Sequence, residues 1–405
     1  MAAERSAGMM PFARPVLSRR VASLLLGSCV MGMGLSTGWG RGAAAAGDPL
    51  TAEMIARSRL PGADLARLQR VLAKARRGEP VTLGVIGGSI TVGSLASVPE
   101  NSYVSRVRAW WQARFPRSEI RLVNAGISGT GSLYGAFRAK RDLLDAAPDM
   151  VIVEFAVNDA GADGPAYEGL VRQILARPNA PALLLLFMMW EGGGNLQEMQ
   201  AEVGTYYRLP MVSFRDALWP EMAAGRLRWS DFLADAAHPN DKGHAAAAGL
   251  VTALLADADR PGVPDAPLAP LPAPLHSDAF QFVIWQRSVS LTPSRNDGWT
   301  CTVDDRGETF WTGTQASGQI SFDWSGTGIA AVVARPPDDA GRVLFWIDGA
   351  KALTVDATMV VKRDIAMVTE GLAPGRHTLT MARIDDPTGQ SVALAGLGAV
   401  GVNRR

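Results

Sequence analysis

The chain has 405 residues, 47% of them apolar and 20% charged, with a formal net charge of +1. That length suits two domains with a sizeable core, and the composition excludes a disordered chain or a membrane bundle. A charge so near zero gives no electrostatic reason to expect nucleic acid as a partner.

At the start, Arg14, Arg19 and Arg20 precede an apolar stretch from Val21 to about Trp39, and small residues follow at Ala43 to Ala46. This charged, apolar, small-residue order is that of a signal peptide over 1–46, so an exported protein, periplasmic or secreted, is expected. Cleavage near Ala46 would remove five Arg and one Glu, taking the charge from +1 to roughly −3. Ser18-Arg19-Arg20 hints at the twin-arginine route, but the residues after it fit that signal poorly and favour the Sec route. Leu26-Gly27-Ser28-Cys29 has the look of a lipobox, although the apolar run continues past Cys29. A lipid-anchored or N-terminally anchored form stays open, and no stable span is expected after cleavage. Cys29 and Cys301 are the only cysteines, so no disulfide framework exists. Cys301 lies in the apolar run Trp299 to Val303 and is expected to be a buried structural thiol.

A first domain is expected over 47–256. A helix with Leu65, Leu68, Val71 and Leu72 on one face covers roughly Ala63 to Ala75. Val81 to Ile86 then reads as a buried strand ending at Gly87-Gly88. Tyr103 to Phe115 and Leu133 to Ala146 have helical spacing, each closed by a proline. Ile120 to Val123, Met150 to Phe155 and Leu183 to Met188 are further buried strands. Apolar strands with little alternation, separated by helices, imply a doubly wound parallel sheet in a three-layer α/β/α sandwich. The stretch 257–275 is rich in Pro and Ala and reads as a linker or surface strap. Beyond it, over 276–405, short apolar runs recur at Phe280 to Trp285, Ile320 to Trp324, Ile329 to Val333, Val343 to Ile347 and His377 to Met381. Turn signals such as Asp348-Gly349, Pro374-Gly375 and Thr388-Gly389 separate them. This pattern predicts a C-terminal antiparallel β-sandwich.

The chemistry concentrates in four segments of the first domain. The first strand runs into Gly87-Gly88-Ser89-Ile90-Thr91, where glycines allow a tight turn and a helix start offers N–H donors to an anion. Alone this is a weak signal, and the Gly-Lys-Ser/Thr end of a phosphate loop is missing. Asn124-Ala125-Gly126-Ile127-Ser128-Gly129 follows the second strand, and Val157-Asn158-Asp159 the third. Asp235-Ala236-Ala237-His238-Pro239-Asn240 precedes a terminal helix. A parallel sheet brings all four to one edge.

These segments, in this order over about Thr82 to Leu250, resemble the blocks of the SGNH hydrolase superfamily, the GDSL-like lipases and esterases. The resemblance implies a Ser-His-Asp triad of Ser89, His238 and Asp235, with Ser89, Gly126 and Asn158 supplying the oxyanion hole. Gly88 stands where the family name has Asp, which puts the support of that loop in question. Chemically, Ser89 needs a base within hydrogen-bond reach, and Asp235, three residues before His238, can orient the ring on one turn.

Each residue also has a structural reading. Ser89 could be a turn residue, Gly126 a steric necessity and Asn158 a helix cap, although Asp159 is the better capping candidate. His244 falls on the Ala-rich last helix and is expected to be packed. Asp231 is the one substitute for Asp235, at a less apt spacing, and Glu154 reads as a buried hydrogen-bonded group. Four scattered His and no paired Cys make no metal site, and no cofactor is implied. No pair of carboxylates suggests a glycosidase.

The last third carries Trp285, Trp299, Trp311, Trp324 and Trp346. Aromatic faces stack on sugars, but each single Trp is first a candidate for the sandwich core. A sandwich on an exported domain of this type resembles the accessory modules of carbohydrate esterases. The reading is therefore a serine esterase for carboxylic, O-acetyl esters of a polysaccharide. The alternatives are an O-acyltransferase of exopolysaccharide with the same triad, a lipid or aryl esterase, and a non-catalytic carbohydrate-binding or scaffold protein. The sandwich is expected either to hold polymer near the site or to stabilise the first domain by packing.

Overall fold

A computed structural model describes residues 50–402 apart from 160–163, 261–267, 304–306, 315, 335–341, 357–362 and 385–390. The segment 1–46 expected to be a signal peptide, part of the Pro-rich stretch and the Thr388-Gly389 turn lie outside the described residues. Among the described residues, no helix is long and apolar enough to cross a membrane.

The first part runs α1 (Ala52–Arg57), α2 (Ala66–Arg76), β1 (Val81–Gly87), α3 (Ser89–Val92), α4 (Tyr103–Arg114), β2 (Ile120–Gly126), α5 (Ser132–Asp142) and β3 (Met150–Glu154). It continues with α6 (Gly164–Leu175), β4 (Ala182–Phe187), α7 (Gln197–Tyr206), β5 (Met211–Ser213), α8 (Phe214–Ala223), α9 (Trp229–Phe232) and α10 (Asp241–Ala258). The strands form one parallel sheet in the order β2-β1-β3-β4-β5. Alternate side chains feed two cores. Leu83, Val85, Ile152, Leu184 and Leu186 pack with α2, α4 and α10. Ile86, Val151, Val153, Leu183 and Leu185 pack with α5, α6 and α7 on the other face. The expected α/β/α layering follows from this two-sided burial.

The predicted helix over Leu133 to Ala146 is shorter, giving way after Asp142 to a 3-10 turn at Leu144–Ala146. The last helix reaches Ala258, two residues into the stretch read as a linker, and Asp259 just beyond it pairs with Arg76 and Arg114. Further on, the Pro-rich stretch is a strap. Pro272 O accepts from Arg172 Nη1 (2.9 Å), and Ala273 O accepts from the Tyr206 hydroxyl (3.0 Å). Glu168 accepts from the backbone N–H groups of Leu275, His276 and Ser277.

The second part is an antiparallel sandwich of β6 (Val283–Arg287), β7 (Arg295–Asn296), β8 (Thr300–Val303), β9 (Thr309–Gly313), β10 (Gln319–Gly326), β11 (Gly328–Ala334), β12 (Arg342–Ile347), β13 (Ala350–Asp356), β14 (Arg363–Thr369), β15 (Gly375–Ile384) and β16 (Val392–Val400). One sheet has the order β13-β12-β15-β10-β7, and the other β14-β11-β16-β9-β8, with β6 also paired to β16. Their inner faces meet through Ile320, Phe322, Ile329, Val333, Phe345, Leu379 and Leu394.

The two parts pack directly on each other. Every residue of β11 is buried, because Ile329, Ala331 and Val333 face the sandwich core while Ala330, Val332 and Ala334 face α5 and α6. Small alanines on that outer face let the helices come close. Gly169 of α6 does the same for Phe280, whose Cβ lies only 2.2 Å from where a Cβ on Gly169 would sit.

Cys301 is exposed, not buried. It lies on β8, which among the described residues is an edge strand paired with β9 alone, and all four β8 residues are exposed. None of the five C-terminal Trp is exposed. Trp299 and Trp324 belong to the sandwich core, and Trp285 packs against Tyr134 and Phe137 of α5.

Candidate active site

All four segments meet at the carboxyl edge of the parallel sheet. β1 ends at Gly87, and Ser89 is the first residue of the short helix α3. The Ser89 N–H thus has no intrahelical acceptor, while the preceding carbonyl, Gly88 O, accepts from Val92 N (3.1 Å). Ser89 Oγ lies 2.7 Å from His238 Nε2. His238 Nδ1 lies 2.8 Å from Asp235 Oδ2 and 3.1 Å from Oδ1. A carboxylate only accepts, so Nδ1 carries the hydrogen and Nε2 is left to accept from the serine hydroxyl.

The loop bearing Asp235 and His238 is held on several sides. Asp235 Oδ1 accepts from the N–H groups of Ala237 (2.8 Å) and His238 (2.7 Å). Its carbonyl accepts from Trp229 Nε1 (2.8 Å), and Ala236 O accepts from Glu191 N (2.8 Å). Partial burial raises the Asp235 pKa, but the two N–H groups and the imidazole outweigh it and hold the carboxyl below its usual value. Asn240 caps α10 by accepting from Lys242 N and Gly243 N, which fixes where the loop ends. Asp231 pairs with Arg228 instead of the imidazole.

Gly126 ends β2, in register with Gly87. Its N–H donates to Asn124 Oδ1 (2.9 Å), and Asn124 Nδ2 donates to Thr91 O (2.8 Å). Any role for the Gly126 N–H toward an oxyanion therefore involves sharing its hydrogen, as three-centre bonds do. Among the described residues Asn158 caps no helix, and its Oδ1 is buried without a hydrogen-bond partner. That oxygen lies 2.1 Å from where a Cβ on Gly88 would sit, so the glycine at this position makes room for the Asn158 amide. Asp159 does act at a helix terminus, but that of α5, accepting from Ser132 N (2.6 Å) and from Gln200 Nε2 (2.6 Å). Burial is the main cause that pushes its carboxyl up to about 6.

Behind the nucleophile, Glu154 at the end of β3 accepts from Thr91 Oγ1 (3.0 Å), which also meets the Tyr103 hydroxyl (2.9 Å). Burial pushes the Glu154 carboxyl up to about 8, so the neutral acid predominates at neutral pH. His244 is fully buried: Nδ1 accepts from Tyr103 N (3.2 Å) and Nε2 donates to Ser94 O (3.2 Å), the packed role expected for it. Beyond Ser89, Val92 at the end of α3 and Leu95 and Val98 on the following loop leave apolar side chains exposed.

Sequence reasoning missed Arg138, a fully buried arginine of α5 directly behind these strand ends. Its signal was its place one turn after Tyr134, on the apolar side of the helix.

Residues 85–246 match the GDSL-like Lipase/Acylhydrolase family. The chain is also similar to the crystal structure of a two-domain esterase (CEX) active on acetylated mannans, with 28% identity and a TM-score of 0.77. That match covers 86% of this chain and 98% of the other. A structure of the two-domain esterase co-crystallised with mannopentaose gives 27% identity and a TM-score of 0.78, over 87% and 99%. No curated protein sequence matches significantly.

Proposed function

We propose, from the match of residues 85–246 to the GDSL-like lipase/acylhydrolase family of carboxylic-ester hydrolases, a serine esterase that removes O-acetyl groups from a polysaccharide of the mannan class. The observation that carries this reading is the unbroken relay from Ser89 through His238 to Asp235. The likeness to a two-domain esterase active on acetylated mannans, over nearly the full length of both chains, supports the substrate class.

Ser89 attacks the acetyl carbonyl while His238 Nε2 takes its proton, and Asp235 stabilises the imidazolium that forms. The negative oxygen is received by the Ser89 N–H, the Gly126 N–H and the Asn158 amide. Each such donor typically lowers the barrier by about 3 kcal/mol. Collapse expels the sugar hydroxyl, which takes the proton back from His238. Water then repeats the sequence to free acetate and Ser89. We place this reaction outside the cytoplasm, on the strength of the signal-peptide pattern over 1–46.

The test is a panel of acetylated mannan, acetylated xylan and p-nitrophenyl esters of increasing chain length, with released acid and transferred product both quantified. Release of acetate, highest on mannan, is expected. Transfer to a sugar hydroxyl in place of release would identify a transferase, and preference for long acyl chains would contradict the polysaccharide assignment.

A further inference from the structure

Arg138 is a buried cation that the triad chemistry leaves unexplained. Its Nη1 donates to Ala125 O (2.5 Å) and its Nη2 to Gly87 O (3.1 Å). These two carbonyls belong to neighbouring parallel strands, one step before the turns that carry Gly126 and Ser89. Asp142, one helical turn on, lies 3.3 Å from Nη1 and balances the charge. The ring of Tyr134 lies 5.8 Å from the guanidinium carbon. Burying a charge is costly unless it is fully engaged, and an apolar side chain would fill this space at less cost. What the arginine adds is a planar fork that holds two carbonyls at once, which a lysine does not reproduce.

Ala125 O is the carbonyl of the same peptide unit whose N–H is that of Gly126. Donation to the carbonyl polarises the whole unit and makes its N–H a stronger donor. We infer that Arg138 is a positioning residue for ester hydrolysis, setting the Ser89 turn against the Gly126 turn and strengthening the Gly126 N–H toward the oxyanion. This inference rests on the triad reading given above. The arginine is itself held from behind, because Tyr134 meets Trp285 of the sandwich edge to face, with ring centroids 5.4 Å apart. The C-terminal domain thereby buttresses the reacting end of the sheet through this ring contact.

The test uses the full chain with R138K and R138Q, and p-nitrophenyl acetate as substrate. Active sites are counted by stoichiometric phosphorylation with diethyl p-nitrophenyl phosphate, so that unfolded protein does not enter the rate. Per titrated site, kcat should fall by about 10- to 100-fold while KM changes less than about twofold, the signature of a loss confined to the transition state. Affinity for a small alkylboronic acid, which forms a tetrahedral adduct on serine, should weaken in parallel. A merely structural role would lower the titratable fraction and leave kcat per site unchanged, and that result overturns the inference. Should R138Q not fold, Asp142→Asn reads the same split, with a several-fold loss of kcat expected and wild-type kcat contradicting it. A Ser89→Ala variant run alongside separates the two levels. Turnover surviving in that variant sinks the triad reading, whereas an inert variant beside R138K at wild-type kcat sinks only the role of Arg138.

Discussion

Gln173 Nε2 donates both to Ala136 O (2.9 Å) on α5 and to Phe280 O (2.7 Å) at the start of the C-terminal part, tying the two halves through one buried amide. Beside it, Arg172 donates to Gln281 Oε1 (2.7 Å), and Phe137 and Phe280 meet edge to face. An interface built from buried polar bonds and aromatic contacts supports packing as a principal task of the sandwich. Truncation after Arg260, which keeps Asp259 and its two arginines, should therefore lower the melting temperature and depress turnover of small esters and of polysaccharide alike. Parallel melting curves and rates on p-nitrophenyl acetate and acetylated mannan check this. Wild-type stability and small-ester turnover in the truncated chain would favour a separable polymer-holding module.

Gly88 is tied to Asn158 by the space its missing side chain leaves. Gly88→Ala should displace the Asn158 amide and lower kcat by about 10- to 100-fold. If the amide is the cause, adding Asn158→Ala should cost little more, because contacting residues that act through one group are not additive. Rates of the two single variants and the double variant decide it; independent, multiplicative losses would contradict the link.

Glu154 gives a pH signature in stability. Its carboxyl titrates near 8 in the folded protein against an ordinary 4.5, so the folded state holds the proton more tightly. Its contribution is fully present below the ordinary value and is lost as pH rises through about 8. Glu154→Gln, which cannot ionise, should gain melting temperature relative to the wild type between pH 5 and pH 9. A constant difference across that range would show that Glu154 does not titrate there.

Asp235 holds His238 by geometry and charge together. Asp235→Asn should lower kcat by at least about a thousandfold, since an amide can present a donor to Nδ1 and turn Nε2 into the protonated nitrogen. Its side chain is about half exposed, so the melting temperature should change little. A near-silent variant would move the orienting role to another residue.

Much of this was legible in the sequence because the four chemical segments each follow an apolar strand or precede a capped helix. Parallel order alone then brings Ser89, Gly126, Asn158 and His238 to one edge. Less legible were features that depend on what lies beside an element. Cys301 lies in the apolar run Trp299 to Val303, which suggests burial, yet only Trp299 of that run is buried because β8 is an edge strand. Arg138 was passed over because an arginine in a helix normally points to solvent; the carbonyls it holds, 13 and 51 residues away in the chain, are beyond any local pattern. The seven consecutive buried residues of β11 carried an unread signal. In an antiparallel sheet such a run implies cover on both faces, here by the core and by α5 and α6.

The most direct test of the central claim is peptide mapping after inactivation of the full chain with a fluorophosphonate. The account predicts one covalent label per molecule, on Ser89, appearing in step with the loss of esterase activity. A label on another residue, or full inactivation with Ser89 unmodified, would contradict it.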